Sequence, residues 1–199
     1  MTEKIKKISD FAQIYFNNLF AILGKIDLNK LVILEKVLLN ARLKKKNIFL
    51  FGNGGSAATA STIANDLGFD VLKKTSVKNP FRFFSLTDNT PVITAIANDI
   101  GYENVLVNQL KIHFRNKDVL ILISASGNSK NLLKAAKWVK KNNGYVFSFL
   151  GFDGGQLKNL SDDYILVRTE KGEYGPVEDA HLILNHVFAH WFQMKLKNK

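Results

Sequence analysis

The chain contains no cysteine, which excludes disulfides, thiolate metal sites and a cysteine nucleophile while leaving the compartment open. It has only three prolines, and no Gly/Ser linker, low-complexity tract or internal repeat long enough to divide it. No stretch approaches the ~18 consecutive apolar residues a membrane helix needs, and the start, Met1-Thr-Glu-Lys-Ile-Lys-Lys7, leads into amphipathic sequence. The expected location is the cytoplasm, with no membrane partner. Acidic residues are few, 17 against 28 basic, giving a formal charge of +11. Such a surplus suits nucleic acid, an anionic surface or anionic metabolites. The lysines cluster as Lys44-Lys45-Lys46 and as Lys137, Lys140 and Lys141, without the arginine and aromatic interleaving of a nucleic-acid groove. They read as solvated helix surface, and nucleic acid is not an expected partner.

What is present points to one well-packed domain over residues 1–199, with residues 1–45 as a leading helical segment; 199 residues at 46% hydrophobic content suit a single core. Ile5, Ile8, Phe11, Ile14, Tyr15 and Leu19 recur at helical spacing between Glu3 and Leu23. A second helical pattern runs from Leu28 to Leu43 behind Asp27, a natural N-cap. Apolar strand runs then alternate with helices: Ile48–Phe51, Phe81–Leu86, Val119–Ser124, Tyr145–Leu150 and Tyr164–Val167, each followed by one helical pattern, the last of them long. Strands apolar along their length and separated by helices imply a parallel sheet covered on both faces, an α/β architecture. In such sheets ligands bind at the carboxyl ends of strands, beside a topological switch point.

Two strand-to-helix turns carry the chemistry. The first, Gly52-Asn-Gly-Gly-Ser56, opens into a small-residue helical pattern. Glycines let backbone approach a ligand, and free N–H groups at a helix start point at negative charge, so a phosphate is the expected ligand. The second, Ser124-Ala-Ser-Gly-Asn-Ser129, offers three hydroxyls able to ring one phosphoryl group. Either turn alone is equally well read as helix capping; the pair favours binding. On the terminal helix, Glu178 and Asp179 suit the positive end of the helix dipole, and His181, His186 and His190 follow among apolar residues. Those histidines read as interface residues unless the helix start faces the two turns, in which case Glu178 and His186 become titratable groups beside an anion.

Five ordered blocks carry a resemblance: Gly52–Ser56, Ala97-Asn-Asp99, Ser124–Ser129, Gly151-Phe-Asp-Gly-Gly155 and Val177-Glu-Asp-Ala-His-Leu-Ile-Leu-Asn-His186. Over nearly its whole length the chain resembles the sugar isomerase (SIS) domain family, and within it the bacterial phosphoheptose isomerases. The resemblance implies a three-layer α/β/α sandwich behind two N-terminal helices, a homotetramer with sites between subunits, and interconversion of sedoheptulose 7-phosphate and glycero-manno-heptose 7-phosphate for surface-glycan heptoses. By motif, Ser124, Ser126 and Ser129 hold the phosphate, Asn53, Gly54, Ser56 and Asp99 contact the sugar, and His186 is catalytic. The chain departs from the family's pattern where a helix after the first turn usually carries His and Glu four apart: here stand Thr62 and Asp66. It departs again with Glu178 in place of a usual Gln.

In the family those positions form a catalytic and often zinc-binding cluster. Threonine is a poor zinc ligand, so no cofactor is assured, and Asp66, Glu178 and His186 are the candidates for any metal. Aldose–ketose isomerisation needs a base at carbon and an acid at oxygen: Asp66 or Glu178 for the first, His186 for the second. Two other readings compete. Gly52-Asn-Gly-Gly-Ser-Ala57 has the spacing of a dinucleotide fingerprint, with Asp88 after the next strand. A non-catalytic SIS protein, binding a phosphosugar or a replication-initiator-type partner, is compatible with Thr62 and Asp66, as is an isomerase of another phosphosugar.

Overall fold

The structure, a computed structural model, describes residues 7–197. Five strands, β1 (Asn47–Gly52), β2 (Arg82–Ser85), β3 (Val119–Ser124), β4 (Tyr145–Gly151) and β5 (Asp163–Val167), form one sheet in the order β2-β1-β3-β4-β5. All four pairings are parallel, with Ile48 opposite Val119 and Ile121 opposite Phe147. The uninterrupted apolar runs have a simple cause. Ile48, Leu50, Ile121, Ile123, Phe147 and Phe149 face one core, while Phe49, Phe51, Leu120, Leu122, Val146 and Leu150 face the other. With both faces dry, a polar side chain is tolerated only with a partner, as for Ser148 of β4, which is buried and shares a hydrogen bond with the Ser161 hydroxyl at 2.7 Å.

Against the first face pack α1 (Ile8–Leu23), α2 (Leu28–Leu43), α3 (Gly55–Ile63) and α4 (Val71–Thr75). Against the second lie α5 (Thr90–Ile100), α6 (Val105–His113), α7 (Lys130–Lys141) and α8 (Leu157–Leu160), and the chain returns to the first face with α9 (Tyr174–Leu196). This is the expected α/β/α sandwich behind two helices. Asp27 caps α2 by accepting from the Asn29 N–H at 2.9 Å. The part of the expected first helix from Glu3 to Lys6 lies outside the described residues.

Two elements differ from the sequence expectation. Between β2 and β3 there are two helices rather than one, because Gly101 turns to φ +93° and ends α5, and a 3-10 turn at Tyr102–Asn104 starts α6. The helix after β1 is not continuous either. Between α3 and α4 it widens into a π-helix over Ala64–Asp70, a winding that is rare and concentrated at functional sites. The sheet order reverses between β1 and β3, which places the switch point between the two strands that end in the glycine turn and the serine turn. Among the described residues no helix is long and apolar enough to cross a membrane.

Candidate active site

The glycine turn after β1 and the serine turn after β3 are tied together by side-chain amides. Asn53 and Asn131 exchange two hydrogen bonds, at 2.9 and 3.2 Å, and the Tyr102 hydroxyl donates to Asn53 Oδ1 at 2.8 Å. Asn53 thus stands at the meeting point of both turns. Gly54 adopts φ +55° to begin α3, and Ser56 is buried in its first turn. Gly55 lies against Glu178: a Cβ there would meet the carboxylate end of that side chain, which would have to swing aside. The start of α9 therefore faces the glycine turn, and no side chain among the described residues donates to Glu178.

In the serine turn the three hydroxyls differ. Ser124 is buried and accepts from the Gly127 N–H at 3.0 Å, so it shapes the turn. Ser126 accepts from Asn128 N at 3.4 Å. Ser129 stands at the N-cap of α7 yet makes no capping bond with its side chain, which leaves its hydroxyl unspent beside the free N–H groups of the helix start. The commonest reading of a serine there, helix capping, fails for Ser129. Asp99 lies exposed at the end of α5, with Asn98 as its side-chain donor at 2.9 Å.

Further along α9 a second constellation forms. The π-helical segment carries Asp66 against α9, where Asp66 Oδ2 accepts from Asn185 Nδ2 at 2.6 Å and faces His186 Nε2 at 3.8 Å. Asp66 Oδ1 accepts from Asn65 at 3.0 Å. The Asp66 side chain is 16% exposed and that of His186 is 55% exposed, so the imidazole is the outward member of the pair. Glu178 stays apart from it: two turns of helix, about 12 Å at ~1.5 Å per residue, separate Glu178 from His186. The neighbouring Asp179 accepts from the Tyr15 hydroxyl of α1 at 2.5 Å. Burial, the hydrogen bond to Asp179 and the charges of Asp179 and Glu178 push the Tyr15 phenol up to about 12.

At the position where the family usually has a histidine, Thr62 offers zinc a poor ligand. Thr62 gives its hydroxyl to the Ala58 carbonyl at 3.0 Å, and both Asp66 oxygens already accept from amides. No three of His, Asp, Glu or Cys converge among the described residues. The three metal candidates are thus a pair and a separate carboxylate. The dinucleotide reading fails on two counts. The strand order is the flavodoxin-like one, without the 3-2-1-4 order of dinucleotide folds. Asp88 is taken up by hydroxyls, accepting on Oδ1 from Ser61 and, at 2.9 Å, from Ser85.

Asn131, Tyr102 and Asn185 were not legible as site residues. Asn131 and Tyr102 lie beside motif blocks and act only through Asn53. Asn185 adjoins His186, but only the packing of α9 on the π-helical segment shows what it holds.

The SIS domain model matches residues 14–151. A phosphoheptose isomerase from Clostridium acetobutylicum is 38% identical over 155 residues, 78% of this chain and 76% of its own length. One from Sulfurimonas denitrificans is 33% identical over 191 residues, 94% of this chain and 90% of its own. Among solved structures, phosphoheptose isomerase GmhA from Neisseria gonorrhoeae superposes with a TM-score of 0.83 at 26% identity, covering 94% of this chain and 100% of that one. The chain belongs to the SIS domain family.

Proposed function

We propose that the chain is a phosphoheptose isomerase, interconverting sedoheptulose 7-phosphate and glycero-manno-heptose 7-phosphate. The observation that carries this is the division of labour along α9. Its start meets the glycine turn at Gly55, and two turns later His186 meets Asp66. The two turns at the switch point supply hydroxyls and helix-start N–H groups for the phosphate, with Ser126 and Ser129 at the rim and Ser124 beneath. An extended seven-carbon sugar phosphate is about 10 Å long at ~1.5 Å per bond, comparable with the span from Glu178 to His186. Anchored at the turns, it presents its C1–C2 end to the acid–base pair.

In this reading Asp66 takes the proton from C1 of the ketose and returns it at C2, through an enediol, while His186 gives a proton to the carbonyl oxygen and recovers one from the C1 hydroxyl. Asn185 holds the carboxylate in place. Glu178, Asn53, Ser56 and Asp99 contact the sugar. No step draws on a metal, in keeping with the donor set. The homologues named above support the substrate. The clinching experiment is NMR of the purified protein with sedoheptulose 7-phosphate in deuterated water, before and after chelation. Turnover with deuterium appearing at C2 is expected in both arms; no exchange with any phosphosugar would leave the chain as a non-catalytic SIS binding protein.

The working unit is proposed as a cytoplasmic homotetramer with composite sites. Ile8, Phe11, Ile14, Phe16 and Phe20 of α1 are all exposed, Phe20 at 80%, more apolar surface than one helix leaves open on a monomer. Sedimentation at micromolar concentration should give four chains, and a monomer would sink that assembly.

A further inference from the structure

Beside the serine turn, on its side away from the glycine turn's strand, the ends of β4 and β5 enclose a cleft of about 290 Å³. Its polar wall is made by Ser126 and Asn128 of the turn, Asp153 after β4, and Arg168, Thr169 and Lys171 after β5. We propose that this cleft is an anion subsite in which Arg168 and Lys171 neutralise the phosphate that the serine turn holds, so that phosphate recognition extends across three strand ends. The proposal rests on the isomerase reading above for the identity of the phosphate carrier.

Four observations carry it. The turn itself, Ser124-Ala-Ser-Gly-Asn-Ser129, contains hydroxyls and amides but no cation, whereas a phosphomonoester is close to doubly charged and is best held by charge-assisted bonds. Arg168 and Lys171 form no ion pair among the described residues; the chain's Lys–carboxylate pairs lie elsewhere. The one carboxylate in the wall, Asp153, is already directed at its own turn, accepting from Gly155 N at 3.0 Å. The wall is also rigid. Asn128 donates to the Ser126 carbonyl at 2.9 Å and accepts from Gln156 N at 3.0 Å, and a Cβ on Gly127 would strike the Gly154 carbonyl.

The backbone gives a further sign. Phe152, which lines the same cleft, is held at φ +54°, a left-handed conformation that costs a bulky residue energy and persists where surrounding structure enforces it. Phe152 packs edge-on to Tyr174 at 5.2 Å, so the strained residue braces the floor of the cleft against the start of α9. Arg168 and Lys171 are exposed and cost little to replace, which makes the test clean.

The full-length Arg168→Gln/Lys171→Gln double variant is compared with wild type by steady-state turnover of sedoheptulose 7-phosphate and by calorimetric titration with inorganic phosphate. The expected results are a tenfold or greater rise in KM with a smaller change in kcat, a similar loss of phosphate affinity, and a flatter dependence of KM on salt. Arg168→Lys/Lys171→Arg should restore most of the loss. A KM and a phosphate affinity both within twofold of wild type would overturn the subsite. If the wild type turns over no phosphosugar, the isomerase reading fails by itself, and the phosphate titration still decides whether these two cations form an anion site.

Discussion

His181 and His186 share α9 and differ in almost every physical respect. His181 is 1% exposed and wedged against Phe149, and its Nε2 donates to the Leu150 carbonyl at 3.3 Å. Burial pushes its imidazole down to about 4, only partly offset by that carbonyl, so it is neutral at physiological pH. His186 lies on the outward side beside Asp66. The same residue type is thus a core group on one side of the helix and, on the other, an exposed imidazole beside a carboxylate, where the proposed mechanism places its proton carrier. Which side a histidine occupies, rather than its presence in a motif, decides what it can do.

The sharpest way to break this contrast is to remove the outward imidazole. His186→Gln is expected to lower turnover of sedoheptulose 7-phosphate by roughly a hundredfold or more, the usual worth of a positioned acid or base, with the melting temperature and phosphate affinity retained. Asp66→Asn should match it, while Glu178→Gln acts chiefly on KM. Equal rates for the His186 and Asp66 variants and wild type would remove both from the chemistry.

The inward imidazole should register in stability instead. The folded chain holds His181 neutral down to about 4, whereas the unfolded chain binds its proton near the ordinary 6.5. The unfolded state therefore takes up the proton first. The stabilisation is complete above pH 6.5 and is lost as pH falls toward 4, by about 3 kcal/mol. Urea unfolding across that range measures it. In His181→Gln this component of the pH dependence should vanish, and an unchanged slope would assign the acid sensitivity to other groups.

The sequence made the architecture legible because its signals are local. Apolar runs such as Val119–Ser124 have no polar alternation only when both faces are covered, and Asp27 announces α2 by its own chemistry. The positions of the glycine and serine turns were equally open to reading, since each follows from an apolar strand run that ends where a helical pattern begins. What stayed hidden depends on winding and contact. Nothing in Ala64–Asp70 marks a π-helix, yet that winding, with the packing of α9, decides that Asp66 meets Asn185 and His186. Thr62 and Asp66 stand together at the family's His and Glu positions; the structure spends Thr62 on its own helix and gives Asp66 to α9. Likewise Arg168 and Lys171 belong to no motif, and only the closeness of three strand ends brings them to Ser126.

Asn185 joins the two sides of α9, and replacing it tests whether they are coupled. It is buried with His181, yet its Nδ2 holds Asp66 Oδ2 at 2.6 Å, the oxygen that also faces His186. Because a carboxylate can only accept, the amide must present its nitrogen there, which turns Asn185 Oδ1 inward, where it is buried without a partner. Asn185→Leu removes that unpaired oxygen along with the donor. The two changes oppose each other in stability, so melting should move little, whereas Asp66 loses a charge-assisted bond of about 1.5–3 kcal/mol. Only the part of that bond which positions Asp66 for proton transfer reaches the barrier. Turnover is therefore expected to fall about tenfold, the equivalent of ~1.4 kcal/mol, less than for His186→Gln. If turnover instead stays at the wild-type level, the buried side of α9 is scaffold alone, and the Asp66–His186 pair is positioned entirely by the π-helical segment.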